Sequence, residues 1–214
     1  VYQPTEQAAG SPPSIEYQYV VAMDRSVPPM VRTRRLQSVD PAVYQDAWVL
    51  YDSMLRERQT QQYSPASGKV VVAATAYDGS GRVVDQTAPQ AVTGTPGSRN
   101  LAVTWQNRTR TTYDTLGRVS RSAWVNGNVE TATGTTYTHD TTTVERPGGR
   151  MTRSIVDGLG RTTRVEEFDG TAWQATAYAY DAADRVLAVT DPAGHGSTFT
   201  YNRAGWRLTT DSAD

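Results

Sequence analysis

From about Tyr17 onward, apolar and polar residues exchange places in short runs, as in YQYVVAM (17–23), VVVAATAY (70–77) and WQATAYAY (173–180). A period of two sends alternate side chains to opposite faces of an extended strand, so each run predicts a β-strand with one face turned inward. Gly, Asp, Asn and Pro stand between the runs, where a strand must stop and reverse. The chain therefore reads as all-β, a succession of antiparallel β-hairpins.

The reversals share a frame of Tyr, Asp, two variable residues, Gly and Arg. It is written YDGSGR at 77–82, YDTLGR at 113–118, VDGLGR at 156–161 and YDAADR at 180–185, with weaker copies YDSMLR at 51–56 and YNRAGW at 201–206. Recurrence at intervals of a few tens of residues marks one supersecondary unit repeated along an array. The first polar residue (Asp78, Asp114, Asp157, Asp181 or Asn202) is suited to accept backbone N–H bonds within the turn. The fifth position needs a positive φ, which Gly81, Gly117, Gly160 and Gly205 supply without a Cβ clash and Asp184 tolerates. Leu55 at that position breaks the rule, so its copy is expected to turn differently or not to be a hairpin.

Residues 40–63 carry two patterns at once. Asp40-Pro41 suits a helix start, and Val43, Ala47, Leu50 and Met54 fall at helical spacing. The repeat register instead places Ala47 to Leu50 and Arg58 to Gln62 in strands turned at Tyr51-Asp52. Local propensity is a weak prior, so the strand reading is adopted. Residues 1–16 (VYQPTEQAAGSPPSIE) are rich in Pro, Gly and polar groups and predict a mobile lead-in to a repeat sheet over 17–214. Nine of the 11 prolines lie at or before Pro96, and 88–100 read as a loop, so the sheet is expected to be irregular to about residue 100 and regular over 101–214.

These repeats resemble the YD-repeat family, also called Rhs, in its bacterial form. The resemblance rests on YDGSGRV, YDTLGRV, VDGLGRTT, AYDAADRVLAVTDPAGH and FTYNRAGWRLTT, with VLYDSMLRERQTQ as a further recurrent segment, and spans residues 48–211. It implies a section of a spiralling β-sheet that winds into a hollow shell. In bacterial members such a shell encloses a C-terminal toxin or effector domain of the same polypeptide. The chain starts at Val1 without a signal-like segment, and is expected to be a piece of a longer exported protein at the cell surface or outside it.

Composition changes the picture mainly by exclusion. A net charge of −1 argues against a nucleic-acid partner, and no apolar run is long enough to span a membrane. With 0 cysteines there is no thiolate chemistry, and His139 and His195 are the only histidines, so no metal or nucleophile set, no cofactor and no enzyme activity are expected. Asp181, Asp184 and Asp191 lack the closing glutamate of an EF-hand and read as turn residues. Glu166 and Glu167 are adjacent in a strand, face opposite ways, and read as a charged solvent edge. Arg32, Arg34 and Arg35 read as a solvated strand face, and Asp191 to Gly194 as a turn with Pro192 in its second position. The alternative function is a carbohydrate- or protein-binding surface, for which Trp124, Trp173, Tyr178 and Trp206 are the candidate stacking rings, with Tyr113, Tyr180 and Tyr201 beside them. Strands left open at the ends of an excised sheet are expected to self-associate as a two-fold dimer.

Overall fold

The computed structural model describes residues 12–21, 27–39 and 41–212. Every regular element among them is a β-strand, and the strands pair antiparallel. The chain forms two compact units, one of residues 1–111 and 124–130, the other of residues 112–123 and 131–214. Much of the expected lead-in lies outside the described residues, as do Asp24, Ser26 and Asp40; the first strand begins at Ile15.

The first unit opens as a meander of β1 (Ile15–Val20), β2 (Met30–Ser38), β3 (Val43–Tyr51), β4 (Glu57–Ser64) and β5 (Lys69–Tyr77), each paired with the next. The helical pattern over 43–54 is thus overridden, and the chain reverses between Tyr51 and Glu57 as the repeat register requires. Along the other side of β5 lie β6 (Val83–Thr87) and β7 (Gln90–Val92), β6 at its C-terminal end and β7 at its N-terminal end. Between them the Ala74 N–H donates to the Thr87 hydroxyl at 2.9 Å, filling a gap in the ladder. The segment read as a loop over 88–100 therefore contains a short strand. Its three residues gave too little alternation to register.

The buried apolar residues sit on one face of this unit. Pairing aligns Leu50 with Gln59 and Ala74, and Trp48 with Gln61 and Val72, so these side chains share a face. Residues 93–106 cross that face as a strap, with Leu101 packed on Val70 and Val72, both fully buried. Gln59 exchanges two hydrogen bonds with the Leu101 backbone, accepting its N–H at 2.8 Å and donating to its carbonyl at 2.9 Å. Gln61 accepts the Gly97 N–H at 2.8 Å and donates to the Arg99 carbonyl at 2.9 Å. Buried amides are tolerable because both ends are bonded. Gly97 has φ +73 and lies so close to the Trp48 indole that a Cβ would fall 2.3 Å from Nε1.

The second unit has the simpler topology. Strands β8 (Asn107–Tyr113), β9 (Val119–Asn126) and β10 (Val129–Thr138) contribute to both units. Then β11 (Thr141–Arg146), β12 (Arg150–Val156), β13 (Thr162–Phe168), β14 (Trp173–Tyr180), β15 (Val186–Thr190), β16 (Gly196–Tyr201) and β17 (Arg207–Ser212) follow, each paired with its predecessor from β11 onward. Hairpin ends alternate, so the turns after β12, β14 and β16 lie on one margin and the turn after β15 on the other.

Candidate functional site

The repeat turns are the most organised polar feature of the molecule. In the turn 114–118 the Asp114 N–H donates to the Arg118 carbonyl at 2.9 Å, and the Gly117 N–H to the Asp114 carbonyl at 3.0 Å. Asp114 Oδ1 accepts the N–H groups of Leu116 and Arg118, and Oδ2 accepts Arg118 Nε at 2.7 Å. The same set recurs around Asp52, Asp78, Asp157 and Asp181. Gly81, Gly117, Gly160 and Gly205 have φ of 83, 82, 80 and 85°, and Asp184 61°. Leu55 has φ 58° and makes the same turn. The expectation that its copy differs is corrected: five hydrogen bonds around Asp52 and Arg56 hold the backbone where a leucine alone would not go, and the side chain escapes into solvent.

Partial desolvation raises the carboxyls of Asp52 and Asp114, but the N–H and guanidinium bonds outweigh it and both lie below the ordinary range. For Asp78, Asp157 and Asp181 the arginine backbone N–H is the largest influence, again downward. Asn202 keeps the two N–H bonds, from Ala204 and Trp206, without an ion pair.

Four of these arginines also reach beyond their own turns. Arg56 lies 4.5 Å from the ring centre of Tyr77, Arg118 4.1 Å from Tyr137, Arg161 5.1 Å from Tyr180, and Arg185 4.9 Å from Tyr201. The hydroxyl of each tyrosine donates to the carbonyl of the residue after that arginine: Glu57, Val119, Thr162 and Val186, at 2.6, 3.1, 2.7 and 2.8 Å. The arginine of one hairpin thus lies on the tyrosine ring of a neighbouring one, whose hydroxyl bonds the backbone beside that arginine. Tyr137 was not recognised in the sequence as a rung, because the YTHD that begins with it lacks the Gly-Arg half of the frame. A tyrosine at the end of a strand paired with a post-arginine strand is the signal that finds it.

The DPAGH segment is a further copy of the turn, on the opposite margin. Asp191 N–H donates to the His195 carbonyl at 2.9 Å, Gly194 N–H to the Asp191 carbonyl at 3.1 Å, and His195 Nδ1 lies 3.0 Å from Asp191 Oδ2. Histidine stands where the other copies have arginine. His139 occupies the reversal between β10 and β11 with φ 26°, and no group of three or more metal-ligating side chains is gathered among the described residues. Asp181 and Asp184 share one turn while Asp191 is in the next, a strand away.

Glu166 is not at a solvent edge. It is 1% exposed, and Arg153, with Arg164 Nε at 2.6 Å, closes on its carboxylate. The Arg153 bond leads the forces that hold this carboxyl below its usual range. Glu167, its neighbour on the other face, is exposed. Arg32 and Arg34 are paired as well, with Asp46 at 2.6 Å and Glu16 at 2.6 Å respectively.

Of the candidate stacking rings, Trp173 and Tyr178 take opposite faces of one strand. Trp173 packs on Phe168 with centroids 5.3 Å apart and carries Arg153 on its ring at 4.1 Å. Tyr178 is five residues along the same strand and so faces the other way. Trp206 is exposed in the last turn and Trp124 half-exposed on β9, while Tyr180 and Tyr201 are spent on the ladder and Tyr113 opens the turn at 114–118.

Five turns with one bonding scheme, four of them joined to a neighbouring hairpin through arginine and tyrosine, are a repeat architecture, and the RHS Repeat family matches residues 149–195 and 180–214. The C-terminal part of the chain, residues 149–214, is thus similar to the RHS Repeat family. The fold of the whole chain agrees with solved structures of TcdB2-TccC3. A crystal structure of TcdB2-TccC3-Cdc42 matches with a TM-score of 0.64 at 16% identity, covering 91% of this chain and 12% of that one. TcdB2-TccC3-TEV matches at 0.60 and 15%, covering 98% and 13%, and TcdB2-TccC3 without its hypervariable C-terminal region at 0.60 and 13%, covering 99% and 14%. The chain described here thus spans 12% to 14% of the length of these solved chains. No curated protein matches it.

Proposed function

We propose that this chain is a section of the wall of an exported Rhs shell that encloses a C-terminal toxin or effector domain of its own polypeptide, and that it carries no catalytic activity itself. The observation that bears this reading is the ladder. A wall must keep its curvature and exclude solvent from what it encloses, and both follow when successive hairpins are fixed by ion pairs, ring contacts and hydroxyl bonds rather than by backbone pairing alone. Cation–π contacts of this type contribute about 0.5–1 kcal/mol each at partly exposed sites. Further support comes from the fold relatives, one of which was solved as TcdB2-TccC3 without its hypervariable C-terminal region.

The test uses the full parent polypeptide. Its reading frame is expected to continue in YD copies and end in an unrelated domain, and limited proteolysis is expected to spare that domain while the wall is folded. A C-terminal domain cut as fast within the parent as when expressed alone would defeat the carrier reading. Turnover of any substrate by this section, abolished on changing His139 or His195, would defeat the non-enzymatic one.

A further inference from the structure

A cleft of about 550 Å³ opens on the strapped face of the first unit, where the strap ends. Trp48 forms its floor, Tyr44 and Tyr63 stand on β3 and β4, Pro65 comes from the β4–β5 turn and Pro96 from the strap. Five rings from four segments therefore converge on one space of the size that small ligands and short peptides occupy. Gln37, Gln45 and Asp46 are the polar residues at its lining, and the charged one is already engaged. Asp46 is bonded by Arg32 at 2.6 Å and Arg34 at 3.3 Å, and Arg34 is also bonded to Glu16. An entering group thus meets apolar surface and balanced charge, which disfavours an ionic ligand. The floor is also fixed in advance, because Gly97 closes on the indole from the strap and Arg32 lies 5.4 Å from its ring centre. A site that need not be ordered on binding loses less affinity to entropy.

The chain itself shows what this surroundings accepts. The Tyr44 hydroxyl donates to the carbonyl of Pro13 at 3.0 Å, in the segment Pro12-Pro13-Ser14, whose Ser14 carbonyl takes the Leu36 N–H at 2.9 Å. A residue that lines the cleft is therefore already bonded to a proline-rich backbone. Polyproline II segments present carbonyls that no internal bond uses, and aromatic grooves recognise them by receiving the pyrrolidine rings between flat side chains.

We propose that the cleft between Tyr44, Trp48, Tyr63, Pro65 and Pro96 binds a proline-rich extended peptide of a partner protein. The assignment does not depend on the shell reading, since it rests on the rings of one unit.

The experiment titrates the whole chain with decaproline and with a Gly-Ser decapeptide of equal length, following the indole N–H signal of Trp48 by NMR, assigned through Trp48→Phe. Decaproline is expected to shift that signal saturably while the Gly-Ser peptide leaves it in place. Tyr63→Ala, at an exposed strand end, is expected to weaken binding about ten-fold or more with an unchanged melting temperature; a Tyr63→Phe variant keeps the ring and should retain binding. No shift with decaproline, equal response to both peptides, or undiminished binding by a folded Tyr63→Ala protein would overturn the proposal. A shift produced instead by a neutral oligosaccharide such as maltoheptaose would overturn it in favour of a sugar site.

Discussion

The fifth turn position shows how a single residue is judged by its surroundings. Leu55 is 71% exposed at φ 58°, so it bears the cost of the left-handed region without packing in return. That cost is about 1–2 kcal/mol for an L-residue, partly offset by the extra freedom glycine brings to the unfolded chain. Leu55→Gly should therefore raise stability by up to about 1 kcal/mol, read from urea unfolding. Gly117→Val should lower it by about 1–3 kcal/mol, because a β-branched residue at φ 82° is strained. Asp184→Gly should be close to neutral in the same measurement: relief of backbone strain is cancelled by loss of the contact from Arg161 at 3.0 Å, a surface pair of about 1 kcal/mol or less. The aspartates, glycines and strand alternation made these turns legible in the sequence. What Leu55 would do was not, because side-chain preference points one way and the bonds around Asp52 the other. Glu166 was misread for a similar reason: alternation tells which face a residue takes, and only the neighbouring Arg153 and Arg164 tell whether that face is covered.

Among the elements, hairpins announce themselves by turn chemistry and the strap does not. Gln59 and Gln61 look like solvent-facing residues of β4, yet they are 4% and 1% exposed because backbone groups some 36 to 42 residues away complete their hydrogen bonds. No local pattern encodes a partner at that distance. Gln61→Leu should leave the Gly97 N–H and the Arg99 carbonyl without partners, an effect of about 1–3 kcal/mol for each buried group. Hydrogen exchange at Gly97 is expected to accelerate while amides in the β4–β5 ladder keep their protection; unchanged exchange at Gly97 would mean that the glutamine does not hold the strap. On the ladder, Tyr180→Phe removes only the hydroxyl bond to Thr162 and should lower stability by about 0.5–1.5 kcal/mol.

For the molecule as a whole, acid is the natural probe of the turns. The carboxyls of Asp52, Asp78, Asp114, Asp157, Asp181 and Asp191 all lie below the ordinary value of 3.8 in the folded chain. A group depressed by folding contributes its full stabilisation above the unfolded value and loses it as pH falls through the folded one. Melting temperature should hold steady down to about pH 5 and then decline, and Asp114→Asn with Asp157→Asn should make the decline shallower. All six residues of β17 are exposed, and it pairs with β16 along one side. Self-association through such a strand is expected to appear as a rise in sedimentation coefficient with concentration, and a constant monomer value would exclude it.

The nearest-neighbour pairing from β11 to β17 also sets an order in time. Each of these strands finds its partner only a turn away in sequence, so a hairpin can close in about 1–10 μs and dock on the one before it without waiting for anything downstream. This part of the chain can fold in the direction in which it is made, one rung after another. The strap cannot, since Gln59 and Gln61 must hold their places until residues 97–101 arrive, and closing longer loops delays the contacts that reward them. The first half of the chain is therefore the one that finishes later within its own span, and the later half supplies the faster clock.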